Sequence, residues 1–234
     1  MTGSWLWRRN TKEGWAGVAE AYRDQLMTIF DRLFTAYGPR HWWPAPTPYE
    51  MMVGAILTQN TAWTNVEKAI RNFEDRLSPE FVATVSLEEL AGIIKPCGYF
   101  NQKARHLKHL TSWFEAYDYD VSRVTRADGQ RLRQELLAVK GVGPETADSI
   151  LLYALEQPFF VIDAYTRRLL TRLGWEVPVK YEQLRLMMEA SLPRDTHLYG
   201  EFHALIVEHA KRHCRKSPAC LDCPLEDLCR PRLA

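Results

Sequence analysis

An all-α fold is what this 234-residue chain predicts, on three observations. Apolar residues recur at steps of three and four along almost every segment. Helix-start signatures, a Ser or Thr followed three positions later by Glu, appear repeatedly. No stretch shows the apolar-polar alternation of a half-buried strand, and no heptad array or low-complexity tract interrupts the pattern.

The elements follow in order. Tyr22, Leu26, Ile29, Phe30, Leu33, Phe34 and Tyr37 form a first apolar stripe, which Gly38-Pro39 stops. A proline-rich connector, GPRHWWPAPTP, comes next. Thr47-Pro48-Tyr49-Glu50 supplies a cap, a first-turn proline and a capping-box glutamate, so a helix is predicted from Pro48 to about Gln59. Thr64 with Glu67 and Ser86 with Glu89 repeat the start signal. Further helical stretches are predicted near 101–116, 128–139, 144–155, 163–173, 180–192 and 197–213, giving about ten helices.

With 46% hydrophobic and 25% charged residues the chain should be soluble and globular, large enough for one large domain or two small ones. No apolar run approaches the ~18 residues of a membrane span. The start, MTGSWLWRRNTKEGW, alternates tryptophan with charge and lacks a signal peptide's apolar core, so a cytoplasmic location is expected. A net charge of +1 argues neither for nor against nucleic acid. Arg167, Arg168 and Arg172, and the run KRHCRK from Lys211 to Lys216, read either as solvated helix faces or, jointly with other signals, as DNA-facing patches.

Three constellations carry chemistry. In VKGVGPETA, Gly141 and Gly143 permit a tight turn and Pro144 suits a first helical turn. The motif is either an ordinary helix-helix turn or a phosphate site made of outward-facing amides, with Lys140 and Val142 beside it. Asp163 closes FFVID and opens the helix AYTRRLL. It reads as an N-cap. The helix dipole there also opposes the pKa rise that apolar neighbours cause, leaving a carboxylate able to stabilise a developing cation. Finally, Cys214, Cys220, Cys223 and Cys229, four of the five cysteines, crowd the tail with gaps of five, two and five. In a reducing compartment the choice lies between zinc and an iron-sulfur cluster. A single close pair suits a four-iron cluster better than zinc. Cys97 stands apart as a small buried hydrophobe. Trp42 and Trp43 sit in the connector, and Gln59 and Asn60 at a helix end; each pair reads as core or surface on one view and as ligand contact on the other.

Together the hairpin, the downstream Asp163 and the terminal cysteines resemble the helix-hairpin-helix DNA glycosylases of the endonuclease III superfamily, over roughly residues 20 to 229. HWWP, ILTQNTAW, KPCGYFNQKARHL and ETADSIL look like its 3-methyladenine DNA glycosylase III branch. The resemblance implies a two-domain all-α fold: a six-helix domain at 48–158 carrying the hairpin, and a discontinuous domain of 1–47 and 159–234 with a C-terminal iron-sulfur cluster loop. It implies that Lys140, Gly141, Val142 and Gly143 grip DNA phosphate, that Asp163 is the catalytic carboxylate, and that Glu145 belongs to the catalytic site with it. Trp42, Trp43 and Trp63 would form an aromatic base pocket, Gln59 or Asn60 would fill the gap left by a flipped base, and the four cysteines would bind a 4Fe-4S cluster. Two departures matter. The first cysteine gap is one shorter than the six, two and five of endonuclease III. Glu145 stands where bifunctional members carry lysine, so no Schiff base with the sugar is expected.

The implied function is hydrolytic removal of damaged bases, alkylated purines such as 3-methyladenine, from double-stranded DNA by a monomeric protein without a membrane partner. The rivals are an endonuclease III-like glycosylase for oxidised pyrimidines or mismatched bases, and a non-catalytic DNA-binding module, which would have no use for Asp163.

Overall fold

The computed structural model describes residues 16–43 and 45–229. The amino-terminal stretch discussed above and Pro44 of HWWP lie outside these residues. Among the described residues there are twelve α-helices and no strand. They are α1 (Ala16–Tyr37), α2 (Pro48–Leu57), α3 (Trp63–Asn72), α4 (Pro79–Thr84), α5 (Leu87–Ile93), α6 (Phe100–Glu115), α7 (Val121–Val124), α8 (Gly129–Ala138), α9 (Pro144–Tyr153), α10 (Ala164–Arg172), α11 (Tyr181–Ser191) and α12 (Thr196–Arg212). The excess over ten comes from the short α4 and α7, which carry too few turns to show a period. No described helix is long and apolar enough to cross a membrane.

Local chemistry sets several helix starts. Thr47 accepts a bond from Glu50 N at 3.1 Å with Pro48 in the first turn, and Ser86 does the same for Glu89 N at 3.1 Å. The start expected at Thr64 is different. The helix begins at Trp63 with Ala62 at its cap and no side-chain cap bond, because Glu67 instead accepts from the Trp63 indole Nε1 at 2.8 Å. Helix α2 also stops two residues earlier than its pattern suggests. Thr58 returns its hydroxyl to Gly54 O and Ala55 O at 3.0 and 3.2 Å, and Asn60 takes a left-handed φ of 52°, so residues 58–60 form a turn.

The chain divides into two compact units, Trp43–Gln157, and Met1–Trp42 with Pro158–Ala234. In the first, α2 is apolar all round and nearly wholly buried, packed by α6 and α9. Its Met52, Val53, Ile56 and Leu57 share a core with Leu107, Leu110 and Phe114 of α6 and Ile150 and Leu151 of α9. Each such side chain contributes about 1.5–3 kcal/mol on burial. Tyr49 and Thr111 join α2 to α6 there, 2.6 Å between hydroxyls.

In the second unit α1 packs on α11 and α12, and α10 on α12. Leu26, Ile29 and Leu33 meet Leu184, Met188, Phe202 and Leu205 in its interior. Arg185 is buried there beside Glu189, which it reaches at 2.5 Å, while Glu189 also accepts from Phe160 N at 3.1 Å. A buried cation of this kind is tolerable only because its partner charge is equally well placed.

Candidate active site

The glycine hairpin joins α8 to α9. Gly141 has a φ of +98°, and a Cβ built there would lie 2.1 Å from Cγ of His106. The turn therefore admits only glycine at that point. Gly143, expected to answer the same conformational need, does not: its φ of −91° is ordinary. Nothing lies within 4 Å of where its Cβ would point, so its part is openness, leaving the first-turn amides of α9 approachable by an anion. Val142 is buried and its amide bonds to Val139 O at 3.0 Å, closing the turn. Lys140 is exposed on one side of the hairpin, and Glu145 is exposed on the first turn of α9. A buried clamp holds the two helices together, with Arg133 Nε donating to Asp148 Oδ1 at 2.6 Å and Nη2 to Oδ2 at 3.2 Å.

Gln59 and Asn60 have different lots. The Gln59 amide nitrogen donates to Gly141 O and to Thr146 Oγ1, both at 3.0 Å, and so ties the turn after α2 to the hairpin. Asn60 is exposed. Below this turn, buried Lys103 donates to Leu57 O at 2.9 Å, Thr61 Oγ1 at 2.6 Å and Cys97 O at 2.9 Å. Burial lowers the Lys103 pKa, with the neighbouring Cys97 opposing. Cys97 itself is buried, where a small hydrophobe belongs.

The connector tryptophans part company. Trp43 packs flat on Gly54, where a Cβ would meet its ring at 3.3 Å. It presents an edge contact to Trp63, with centroids 5.1 Å apart, and lies 5.8 Å from Tyr153. All three rings keep some exposure. Trp42 belongs to the other unit, where the Lys211 ammonium lies 5.6 Å from its ring centroid.

In that other unit, Phe159 to Ile162 are buried and deliver Asp163 to the start of α10 with 9% exposure. Its Oδ1 accepts from Thr166 N at 2.7 Å, an N-cap bond. Its Oδ2 lies 3.5 Å from Nε2 of His203 on α12. Burial acts to raise the Asp163 pKa, but His203 and the Thr166 amide together outweigh it, and the carboxyl sits below its ordinary value. The group is therefore a buried carboxylate ionised at neutral pH.

Cys214, Cys220, Cys223 and Cys229 all line one cavity, with Leu169, Arg172, His209, His213 and Leu225 in its wall. None is in a disulfide. Among the described residues no three His, Cys, Asp or Glu side chains converge to hold a metal ion. Burial, with the neighbouring His213, pushes His209 down to about 4, so a neutral ring faces Cys223 Sγ at 3.9 Å. The basic cluster of α10 proves to be neither a solvated face nor a free patch. Arg167 bonds Pro178 O at 2.7 Å, Arg168 bonds Cys214 O at 2.7 Å, and Arg172 reaches Cys214 Sγ at 3.1 Å and Arg215 O at 2.7 Å. Arg168 and Arg172 thus hold the cysteine loop, while Arg167 holds the segment at Pro178.

A hairpin with approachable amides and an ionised buried carboxylate are what base excision chemistry uses, and residues 53–194 match the family model described as HhH-GPD superfamily base excision DNA repair protein. The chain belongs to that superfamily. This HhH-GPD protein is 44% identical over 211 residues to the Methanocaldococcus jannaschii protein named "Putative DNA repair glycosylase MJ1434", covering 88% of this chain and 96% of that one. The crystal structure of the H. pylori 3-methyladenine DNA glycosylase MagIII bound to 1,N6-ethenoadenine matches with a TM-score of 0.69 at 29% identity, over 83% of this chain and 97% of that chain. A non-covalent endonuclease III-DNA complex matches with a TM-score of 0.75 at 24% identity, over 89% and 95%, a likeness of fold. The HhH-GPD protein is thus a helix-hairpin-helix DNA glycosylase of the endonuclease III superfamily, a DNA-binding protein of base excision repair.

Four features escape the sequence, one in the unit of Asp163, where His203 lies beside it, and three in the unit of the hairpin: Lys103 under the turn after α2, Tyr153 beside Trp43, and the Arg133–Asp148 clamp. Only the clamp left a local sign, a charged residue of each sign on the apolar faces of adjoining helices. The other three depend on partners far away in sequence.

Proposed function

We propose that this HhH-GPD glycosylase is monofunctional and hydrolytically excises alkylated purines, such as 3-methyladenine, from double-stranded DNA. The observation that carries this reading is Glu145 on the first turn of α9, a carboxylate where lyase chemistry requires an amine. Base removal then falls to Asp163. As the N-glycosidic bond lengthens, positive charge grows on the sugar, and an ionised buried carboxylate stabilises it. Water adds to the sugar carbon, the departing base takes the bond's electron pair, and the proton released from water passes to solvent. A methylated purine begins as a cation and leaves neutral, so little acid catalysis is needed.

The rings of Trp43, Trp63 and Tyr153 support the substrate class, because electron-rich faces favour a cationic base. Trp42 serves the same role in our reading only if Lys211 yields its ring. The open backbone at Gly143, with Lys140, would grip phosphate, while Val142, its amide bonded to Val139 O, closes the turn that presents them. Exposed Asn60 would fill the gap left by a flipped base, while Gln59 acts through the hairpin it braces.

The four cysteines would hold a 4Fe-4S cluster. All four thiols line one cavity, and their spacing, with a single close pair, suits a cluster better than the two close pairs usual for zinc. Arg172 Nη1 reaches Cys214 Sγ at 3.1 Å and so ties this sulfur to α10. When bound, the cluster would cross-link residues 214–229, which Arg168 and Arg172 already tie to α10. We read the protein as a cytoplasmic monomer. The test is initial base release from duplexes carrying methylated purines against duplexes carrying oxidised pyrimidines or mismatches. Faster release of methylated purine is expected, and the reverse order would overturn the substrate assignment.

A further inference from the structure

Asp163 is held by two elements rather than one. Its Oδ1 is fixed locally by Thr166 N at 2.7 Å, as any helix cap would be. That single bond leaves the carboxylate free to swing about it. The second oxygen, Oδ2, faces His203 Nε2 at 3.5 Å. His203 lies in the stretch 199–206 of α12, every residue of which is buried, and is itself 6% exposed. An imidazole so deeply set in an apolar helix face has a desolvation cost that packing alone does not recover.

We propose that His203 is a positioning residue for Asp163, presenting its Nε2 proton to Oδ2 so that the plane of the carboxylate is fixed before the sugar arrives. The inference rests on the reading of Asp163 as the group that stabilises the sugar cation. The 3.5 Å separation exceeds the usual 2.7–3.2 Å of an N–H···O bond, as catalytic hydrogen bonds often do before they tighten in the reacting complex. The geometry matters because a displacement of about 1 Å in a catalytic group can cost on the order of a hundredfold in rate.

The test is single-turnover base release and binding to abasic-analogue duplex for His203→Leu, His203→Gln and Asp163→Asn. The Gln amide reaches the place of Nε2, so His203→Gln is expected to stay within about threefold of wild type while His203→Leu falls roughly ten- to hundredfold, with binding unchanged in both. In the Asp163→Asn background His203→Leu should add no further loss, since both act through one group. Should His203→Leu fail to fold, His203→Asn takes its place, because its shorter amide cannot reach Oδ2. Turnover near wild type in His203→Leu, or equal losses in the Leu and Gln variants, would overturn the positioning role while leaving Asp163 as it stands. Normal turnover in Asp163→Asn would instead remove the reading beneath it, and this proposal with it.

Discussion

Replacing Gly141 by alanine separates two demands that the hairpin makes on one residue. The first is conformational: at φ +98° an L-residue is strained, which costs about 1–3 kcal/mol. The second is spatial: the new methyl would lie 2.1 Å from Cγ and 2.3 Å from Cδ2 of His106, well inside contact distance, and overpacking of this kind costs roughly another 1–3 kcal/mol. Gly141→Ala should therefore lose about 2–6 kcal/mol in urea unfolding. Gly143→Ala, with φ −91° and nothing within 4 Å, should stay within about 0.5 kcal/mol, the range of ordinary surface changes. Its effect should appear in DNA affinity, where the methyl stands in front of the α9 amides. Adding His106→Ala to Gly141→Ala should return the spatial part and leave the conformational part. A Gly141→Ala protein as stable as wild type, or one that His106→Ala does nothing to relieve, would refute the account of the turn.

Four further outcomes are expected. Asp163→Asn should keep lesion-DNA binding and lose at least about a hundredfold in base release. Because the Asp163 pKa is depressed, its charge is fully present above the ordinary carboxylate value of ~3.9 and lost only as pH falls through the lower folded value. Both base release and the stability it contributes should thus show no slope from its titration between about pH 5 and 7, and a carboxylate-like inflection in that window that vanishes in Asp163→Asn would reject the assignment. Borohydride should trap no enzyme-DNA adduct, and the product strand should break only on alkali or heat; efficient trapping would show an amine, such as exposed Lys140, reaching the sugar. Protein purified without oxygen should be brown and contain iron and sulfide, and stoichiometric zinc without sulfide would reject the cluster.

What the sequence by itself determined is whatever depends on neighbours a few positions apart. The caps at Thr47, Ser86 and Asp163 each bond an amide three residues on, so residue type and spacing are enough to find them. The hairpin is legible for the same reason, although its two glycines differ, since only a ring from α6 behind Gly141 shows which one cannot carry a side chain. The failed start at Thr64 marks the limit of that logic: Glu67 had a nearby indole to bond and took it. Tertiary structure decided the rest. Gln59 turned from a candidate wedge into a brace because the hairpin carbonyl, 82 residues on, came within reach. Arg168 and Arg172 turned inward because the cysteine loop brought them carbonyl oxygens and a sulfur. His203 met Asp163 because α12 packs on α10. Contacts of this kind are set by how apolar helix faces pack, and a polar side chain carried along on such a face leaves no period or spacing in the sequence from which its partner could be read.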